Sequence, residues 1–264
     1  MTTLHTPPVT APKYSPATAG TATDGTATDS TATDTAHAAA EGLALAALDL
    51  ARRFHAGATL WCLSPRWPSH ARHLAVEFVH PVIVGTRALT ARSVEGPDPS
   101  ATLRLLSGPG DVLIGVGPFD DPVTDDLMRR AEAWGLTSVR MGAGDRRPTT
   151  RADHTLWLHG SEDAAFDGGL VVAYHLLWEL THVALEHPGV LAPEPECAGD
   201  HCVTCSDEGT VAEIRSVDGH RAAVVAGGRT EEIDISLVAP VVDGALVLVH
   251  AGVALCTLGT GHDD

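Results

Sequence analysis

No apolar run in this chain is long enough to cross a bilayer. The longest, 169–178, falls well short of the roughly 20 residues that a spanning helix needs, and the N-terminus lacks a basic region followed by an apolar one. A cytoplasmic protein is expected. Positive charge is also scarce, with 17 Lys and Arg against 34 Asp and Glu and a formal net charge of −17. Nucleic-acid affinity comes largely from neutralising phosphates, so a nucleic acid is excluded as partner, and an anionic membrane surface for the same reason. The cysteines, an odd five, do not read as a disulfide framework. Of the five, Cys197, Cys202 and Cys205 crowd together, which suits metal or redox chemistry in a reducing compartment. Cys62 and Cys256 lie among apolar residues and read as small buried hydrophobes.

What is present divides into four parts. Residues 1–35 are mostly Thr, Ala, Pro and Asp, with an imperfect TATD repeat from Thr21 to Thr35 that offers no large apolar side chain to bury, so a disordered tail is expected. From 36 to 186 strands alternate with helices. The pattern gives a helix over 37–55 ending at Gly57, a strand over 58–63, a Pro-rich turn and a helix over 69–80. Strands follow at 82–84 and 111–116, then a helix over 122–135, strands at 138–141 and 154–158, and a helix over 162–186. That alternation implies a parallel sheet covered on both faces. Residues 187–201, with His187-Pro188-Gly189 and Pro193-Glu194-Pro195, read as a linker. The segment 202–264 shows strands only, over 210–216, 220–226, 231–238 and 245–250, with turns at Asp218-Gly219 and Gly227-Gly228, as in a small barrel. A module of about 60 residues is marginal alone and is expected to pack against the first domain or a partner.

Two constellations carry chemistry. His73 and Glu77 stand four apart on one helical face, and His175 from another helix could complete an N/O metal site. Glu77 could also move a proton between adjacent carbons. A plain surface pair is the alternative for His73 and Glu77. In the last third, Cys202 and Cys205 stand at the entrance to the strands and His250 ends the last one. Thiolate and imidazole suit iron, whereas Cys197, Cys202, Cys205 and His201 together could instead close a structural zinc knuckle.

The order of elements, with 110–115, Ala131 to Gly135 and Tyr174-His175-Leu176-Leu177-Trp178-Glu179-Leu180, resembles the sugar isomerase (SIS) domain and specifically phosphoheptose isomerase, over roughly 39–186. The resemblance implies an SIS-type parallel sheet flanked by helices and a metal, usually zinc. It implies ligands His73, Glu77, Asp167 (where the family has glutamine) and His175, with Glu77 and His175 as acid/base. It also implies a homo-oligomer built through this domain. The family's hydroxyl-rich phosphate loops here read Gly117-Pro118-Phe119-Asp120-Asp121-Pro122 and Ser64-Pro65-Arg66-Trp67-Pro68. Carboxylates repel a phosphate dianion and prolines remove amide donors. Asp120 and Asp121 read as helix-capping and first-turn acids.

Residues 202–258 resemble the HypC/HupF family of hydrogenase assembly chaperones. The resemblance rests on Gly209-Thr210-Val211-Ala212-Glu213-Ile214, on Gly227-Gly228, on Glu232-Ile233-Asp234-Ile235 and on Gly244-Ala245-Leu246-Val247-Leu248-Val249-His250-Ala251-Gly252. It implies a small OB-like barrel that carries iron with cyanide and carbon monoxide ligands, binding a HypD-type partner and the large subunit of a nickel-iron hydrogenase. Cys202 or Cys205 and His250 would hold the iron. The family's cysteine is N-terminal, whereas both of these are internal. The fusion thus reads as an accessory protein for hydrogenase maturation that binds rather than turns over. The alternative is a metal-dependent phosphosugar isomerase of the sedoheptulose 7-phosphate type with an appended barrel.

Overall fold

The computed structural model describes residues 26–82, 85–160, 168–191 and 209–258, with side chains from residue 39 onward. In chain order the elements are α1 (Thr26–His55), β1 (Leu60–Leu63), α2 (Pro68–Val79), β2 (Ala91–Val94), α3 (Pro99–Leu106), β3 (Val112–Val116), α4 (Pro122–Ala133), β4 (Thr137–Gly144) and β5 (His154–His159). Then come α5 (Leu170–Glu186), α6 (Pro188–Leu191), β6 (Thr210–Asp218), β7 (Arg221–Ala226), β8 (Arg229–Asp234), β9 (Leu246–His250) and β10 (Val253–Thr257). No described helix is long and apolar enough to cross a membrane.

Strands β1 to β5 form one parallel sheet in the order β2-β1-β3-β4-β5, with Leu60 opposite Val112 and Val112 opposite Thr137. Side chains alternate across a strand, and the two faces of β1 show where each layer goes. Leu60 and Cys62 enter the core formed with α1, α2 and α5, whereas Trp61 and Leu63 enter the core formed with α3 and α4. Burial pushes the Cys62 thiol well above its usual range. Asp111, just before β3, pins this corner by accepting hydrogen bonds from the Thr59 amide (2.7 Å), the Trp61 indole (2.9 Å) and the Gly108 amide (3.0 Å).

The remaining strands close a barrel in the order β10-β8-β7-β6-β9 around Ile214, Val224, Ile233 and Val247. It does not stand apart. Val211 and Leu246 of the barrel belong to the same core as Leu127 and Trp134 of the α4 layer, and residues His37–Asp264 form one compact unit. Two glycines permit the approach. The Gly228 amide donates to the Ala133 carbonyl (2.9 Å), and a Cβ on Gly228 would fall 2.4 Å from the Pro109 ring. Gly135, with φ of +72°, would bring a Cβ to 2.9 Å from the Gly227 carbonyl oxygen. The helix that this seam uses is capped by Asp121, which accepts from the Thr124 amide at 2.9 Å.

The structure corrects several expectations. Helix α1 starts at Thr26 rather than 37, taking in part of the repeat that reads as a disordered tail. No Pro or Gly lies between Thr26 and Glu41 to interrupt it. Strand β2 lies at Ala91–Val94; of the stretch read as a strand at 82–84, Val82 is a bend and 83–84 are outside the described residues. Helix α3 and strand β10 were not anticipated. Residues 188–191 are a short helix rather than linker. Strand β8 stops at Asp234 because the Asp234 carboxylate accepts from the Ser236 amide (2.7 Å), turning the chain before Val238. Cys256 is exposed, not buried: a bulge between Ala254 and Cys256 breaks the alternation that would have placed both on the inner face.

Candidate functional site

Helix α2 buries Ala71, Leu74, Ala75 and Phe78 against the sheet, which leaves His73 and Glu77, four residues apart, on a face turned toward α5. Helix α5 brings up Tyr174 and His175 from adjacent positions. The ligand atoms of His73, Glu77 and His175 all lie within 4.8 Å of one another. Glu77 is at the centre: its Oε1 is 3.0 Å from His73 Nε2 and 3.4 Å from His175 Nε2. The Glu77 side chain is 17% exposed, against 41% and 42% for the two histidines, so the carboxylate forms the floor and the imidazoles the rim.

A carboxylate only accepts hydrogen bonds. His73 therefore carries its proton on Nε2 and offers Nδ1 as an acceptor, and the Tyr174 hydroxyl donates to that Nδ1 at 2.7 Å. Burial, reinforced by the nearby Glu77 charge, pushes the Tyr174 hydroxyl up to about 12, so it stays protonated and able to donate. His70 lies one turn back, its ring 5.9 Å from that of Tyr174. Burial and then the neighbouring His73 hold it below the ordinary histidine value. Tyr174 and His70 were not singled out in the sequence; the only signal was their adjacency to His175 and His73 on the two helices.

Two imidazoles and a carboxylate in this arrangement fit a borderline cation such as zinc. With an ion on Nε2 the His73 proton would sit on Nδ1 instead, which would then donate to the Tyr174 hydroxyl oxygen, as the far nitrogen of a metal-bound histidine usually does. Asp167 lies outside the described residues. Without an ion, the same groups make a hydrogen-bonded chain from Tyr174 through His73 to Glu77, able to hold or pass a proton.

The carboxyl end of β3 is closed from within. Arg140 of β4 is fully buried, and its guanidinium donates to the carbonyls of Gly115 (3.2 Å), Gly117 (3.1 Å), Met141 (3.0 Å) and Pro118. The Phe119 ring stacks over it at 4.8 Å. The Gly117 amide donates to the Met141 carbonyl and the Asp121 amide to that of Pro118. The loop thus turns carbonyls inward and uses two of its amides internally. Burial lowers the Arg140 pKa, and Asp125, Asp121 and Asp120 counter that.

In the barrel, His250 ends β9 at the tight turn made by Ala251 (φ 50°) and Gly252 (φ 78°) and pairs with Val253. Because Thr210 pairs with Val249, the antiparallel register sets position 209 beside His250, at the point where the chain enters β6. His250 is half-buried. Cys197, His201, Cys202 and Cys205 lie outside the described residues.

Residues 209–260 match the HupF/HypC family, so the barrel is a domain of that family. No curated protein matches the chain. Solved structures are similar to it. A phosphoheptose isomerase from Francisella tularensis is 12% identical, with 60% of this chain and 95% of that chain covered and a TM-score of 0.49. The phosphoheptose isomerase of Neisseria gonorrhoeae is 13% identical, with 59% and 98% covered and a TM-score of 0.43. The C-terminal domain of a glucosamine-fructose-6-phosphate aminotransferase from Francisella tularensis is 14% identical, with 55% and 42% covered and a TM-score of 0.40.

Proposed function

We propose that this chain is a cytoplasmic accessory protein for nickel-iron hydrogenase maturation. The observation that carries the reading is the HupF/HypC match over 209–260, which spans all five strands of the closed barrel. In this reading the barrel handles iron as cargo or contacts the maturation partner, a HypD-type protein or the hydrogenase large subunit. His250 and one of Cys202 and Cys205 provide an imidazole and a thiolate, a pair suited to soft metal exchange. The chain entry to β6 beside His250 supports that assignment. The sheet domain serves as the platform for a homo-oligomer. Co-purification of the full chain with a HypD-type protein or the large subunit is the expected result. If hydrogenase maturation in cells is unchanged when Cys202, Cys205 and His250 are all replaced by alanine, the reading fails.

A second reading is favoured by the His73, Glu77 and His175 geometry: a phosphosugar isomerase acting on a sedoheptulose 7-phosphate type substrate. His73, Glu77 and His175, with Asp167, would hold a zinc ion, which when bound polarises the sugar carbonyl and hydroxyl. Glu77 would carry the proton between adjacent carbons with His175 as its acid partner, and Tyr174 would fix the His73 ring. It ranks second because the loop 117–121 turns carbonyls toward Arg140 and so lacks a phosphate cradle. Incubation of zinc-loaded protein with sedoheptulose 7-phosphate decides it, and absence of product sinks it.

A further inference from the structure

On the face of the sheet opposite His73 and Glu77, a cleft of about 350 Å³ opens between α4 and the crossover that leads from β4 back to β5. One wall is Asp120, Asp125 and Arg129 at the start of α4; the other is Thr149, Thr150 and Arg151; Pro122 and Met128 give it an apolar floor. Its volume lies within the range of small-molecule sites, and it adjoins the carboxyl end of β3, where ligands of open α/β sheets bind.

The charges at this cleft are present on both walls but not matched to each other. Arg129 is engaged with Asp126 at 3.4 Å and Thr150 with the Thr155 hydroxyl at 2.6 Å. Among the described residues, the exposed Asp120 and Arg151 make no ion pair. Behind Asp125 lies the fully buried Arg140, whose Nε–H has no hydrogen-bond partner and stands 3.9 Å from the Asp125 carboxylate. Leaving a buried donor unmatched is costly, and such groups are rare without a reason. One wall of the cleft thus carries the exposed Asp120 carboxylate beside Asp125, which already faces the Arg140 guanidinium, and the other carries the Arg151 guanidinium and the Thr149 hydroxyl, suited to an anion.

We propose that this cleft is a binding site for a small zwitterion of the amino-acid class. The ligand's ammonium would lie against Asp120 and Asp125 and its carboxylate against Arg151 and Thr149, with the side chain over Met128 and Pro122. A lone anion meets the two aspartates and a lone cation meets the arginines, so only a molecule carrying both charges is favoured throughout. The site is independent of the barrel and of the His73 cluster, and its test stands apart from the maturation reading.

The test is a calorimetric titration of the full chain with each free L-amino acid, alongside acetate and methylammonium as half-ligands. The expected result is saturable binding of at least one amino acid and none of either half-ligand. Arg151→Gln and Asp120→Asn, both on exposed side chains and so compatible with folding, should each weaken binding about tenfold or more, the value of one charge-assisted hydrogen bond. Amide chemical shifts of Thr149 and Arg151 should move with the same saturation curve. The proposal is overturned if no amino acid binds at millimolar concentration. It is equally overturned if acetate or methylammonium competes as well as the amino acid, or if binding survives both substitutions.

Discussion

Glu213 of strand β6 accepts a hydrogen bond from the indole of Trp134 at the end of α4, so a fully buried carboxylate of the barrel is anchored in the sheet domain. Arg104 donates to the other oxygen, with Arg130 3.4 Å and Arg215 3.8 Å from it. Arg130 also reaches the Gly244 carbonyl at 2.8 Å, so the same group of residues ties strand β6 and the turn before β9 to α4.

Removing one partner of a buried ion pair costs about 3–5 kcal/mol, because the other charge is left uncompensated. Glu213→Ala is expected to lower stability by about that amount in urea denaturation followed by tryptophan fluorescence. Glu213→Gln should cost less, since it keeps an acceptor for Trp134. Wild-type protein should show one cooperative transition, and two separated transitions would contradict a shared core.

Gly228→Ala tests the seam by volume rather than by charge. The added methyl would sit 2.4 Å from the Pro109 ring and 2.9 Å from the Trp134 carbonyl oxygen, at a φ of +75°. Overpacking and left-handed strain each cost about 1–3 kcal/mol. Thermal melting should register the sum, and a neutral effect would mean that the barrel can shift away from α4.

The Tyr174 bond to His73 predicts a metal phenotype. Zinc titration of the full chain should include a site that His175→Ala abolishes. Tyr174→Phe should weaken it about tenfold, the usual effect of losing a partner that orients a ligand histidine. An unchanged zinc affinity in the Tyr174→Phe chain would remove the tyrosine from the site.

Asp49 of α1 predicts a pH dependence. Its carboxylate accepts from His154 at 3.0 Å, with Arg53 at 3.3 Å, and these partners, the His154 hydrogen bond foremost, hold it below the usual aspartate value against the opposing effect of burial. A depressed folded-state value contributes stability that is present above the unfolded aspartate pKa and is lost as pH falls through the folded one. Asp49→Asn should therefore reduce stability at neutral pH and flatten the acid limb of a stability-against-pH curve. Parallel curves for the two proteins would refute this.

Much of the architecture was legible because periodicity reports burial directly. The run 111–116 was read to within one residue because it is a short apolar stretch, and the helix over 122–135 to within two because Pro122 opens it and Gly135 follows its end. Strand β2 was not legible: Ala91-Arg92-Ser93-Val94 has two inward residues and two polar ones, and its identity comes from pairing with Leu60–Leu63 rather than from its own composition. Strand β10 was masked by its bulge. Of the candidate site, His73, Glu77 and His175 could be found from helical spacing together with a family resemblance. Tyr174 could not, because an aromatic on a hydrophobic helix reads as core and its hydroxyl partner lies 101 residues away in the chain. Arg140 was invisible for a similar reason: nothing in Ser138-Val139-Arg140-Met141 indicates that the guanidinium turns inward.

That buried guanidinium has a wider consequence for the sheet domain. Carbonyl oxygens gathered from Gly115, Gly117, Pro118 and Met141 make the tip of β3 a receptor for positive charge, and the chain itself supplies the guest. A substitution that merely shortened Arg140 would leave an electronegative hole, not an anion pocket. Affinity for a phosphate there would require the backbone to reverse its polarity as well, which no single side-chain replacement achieves.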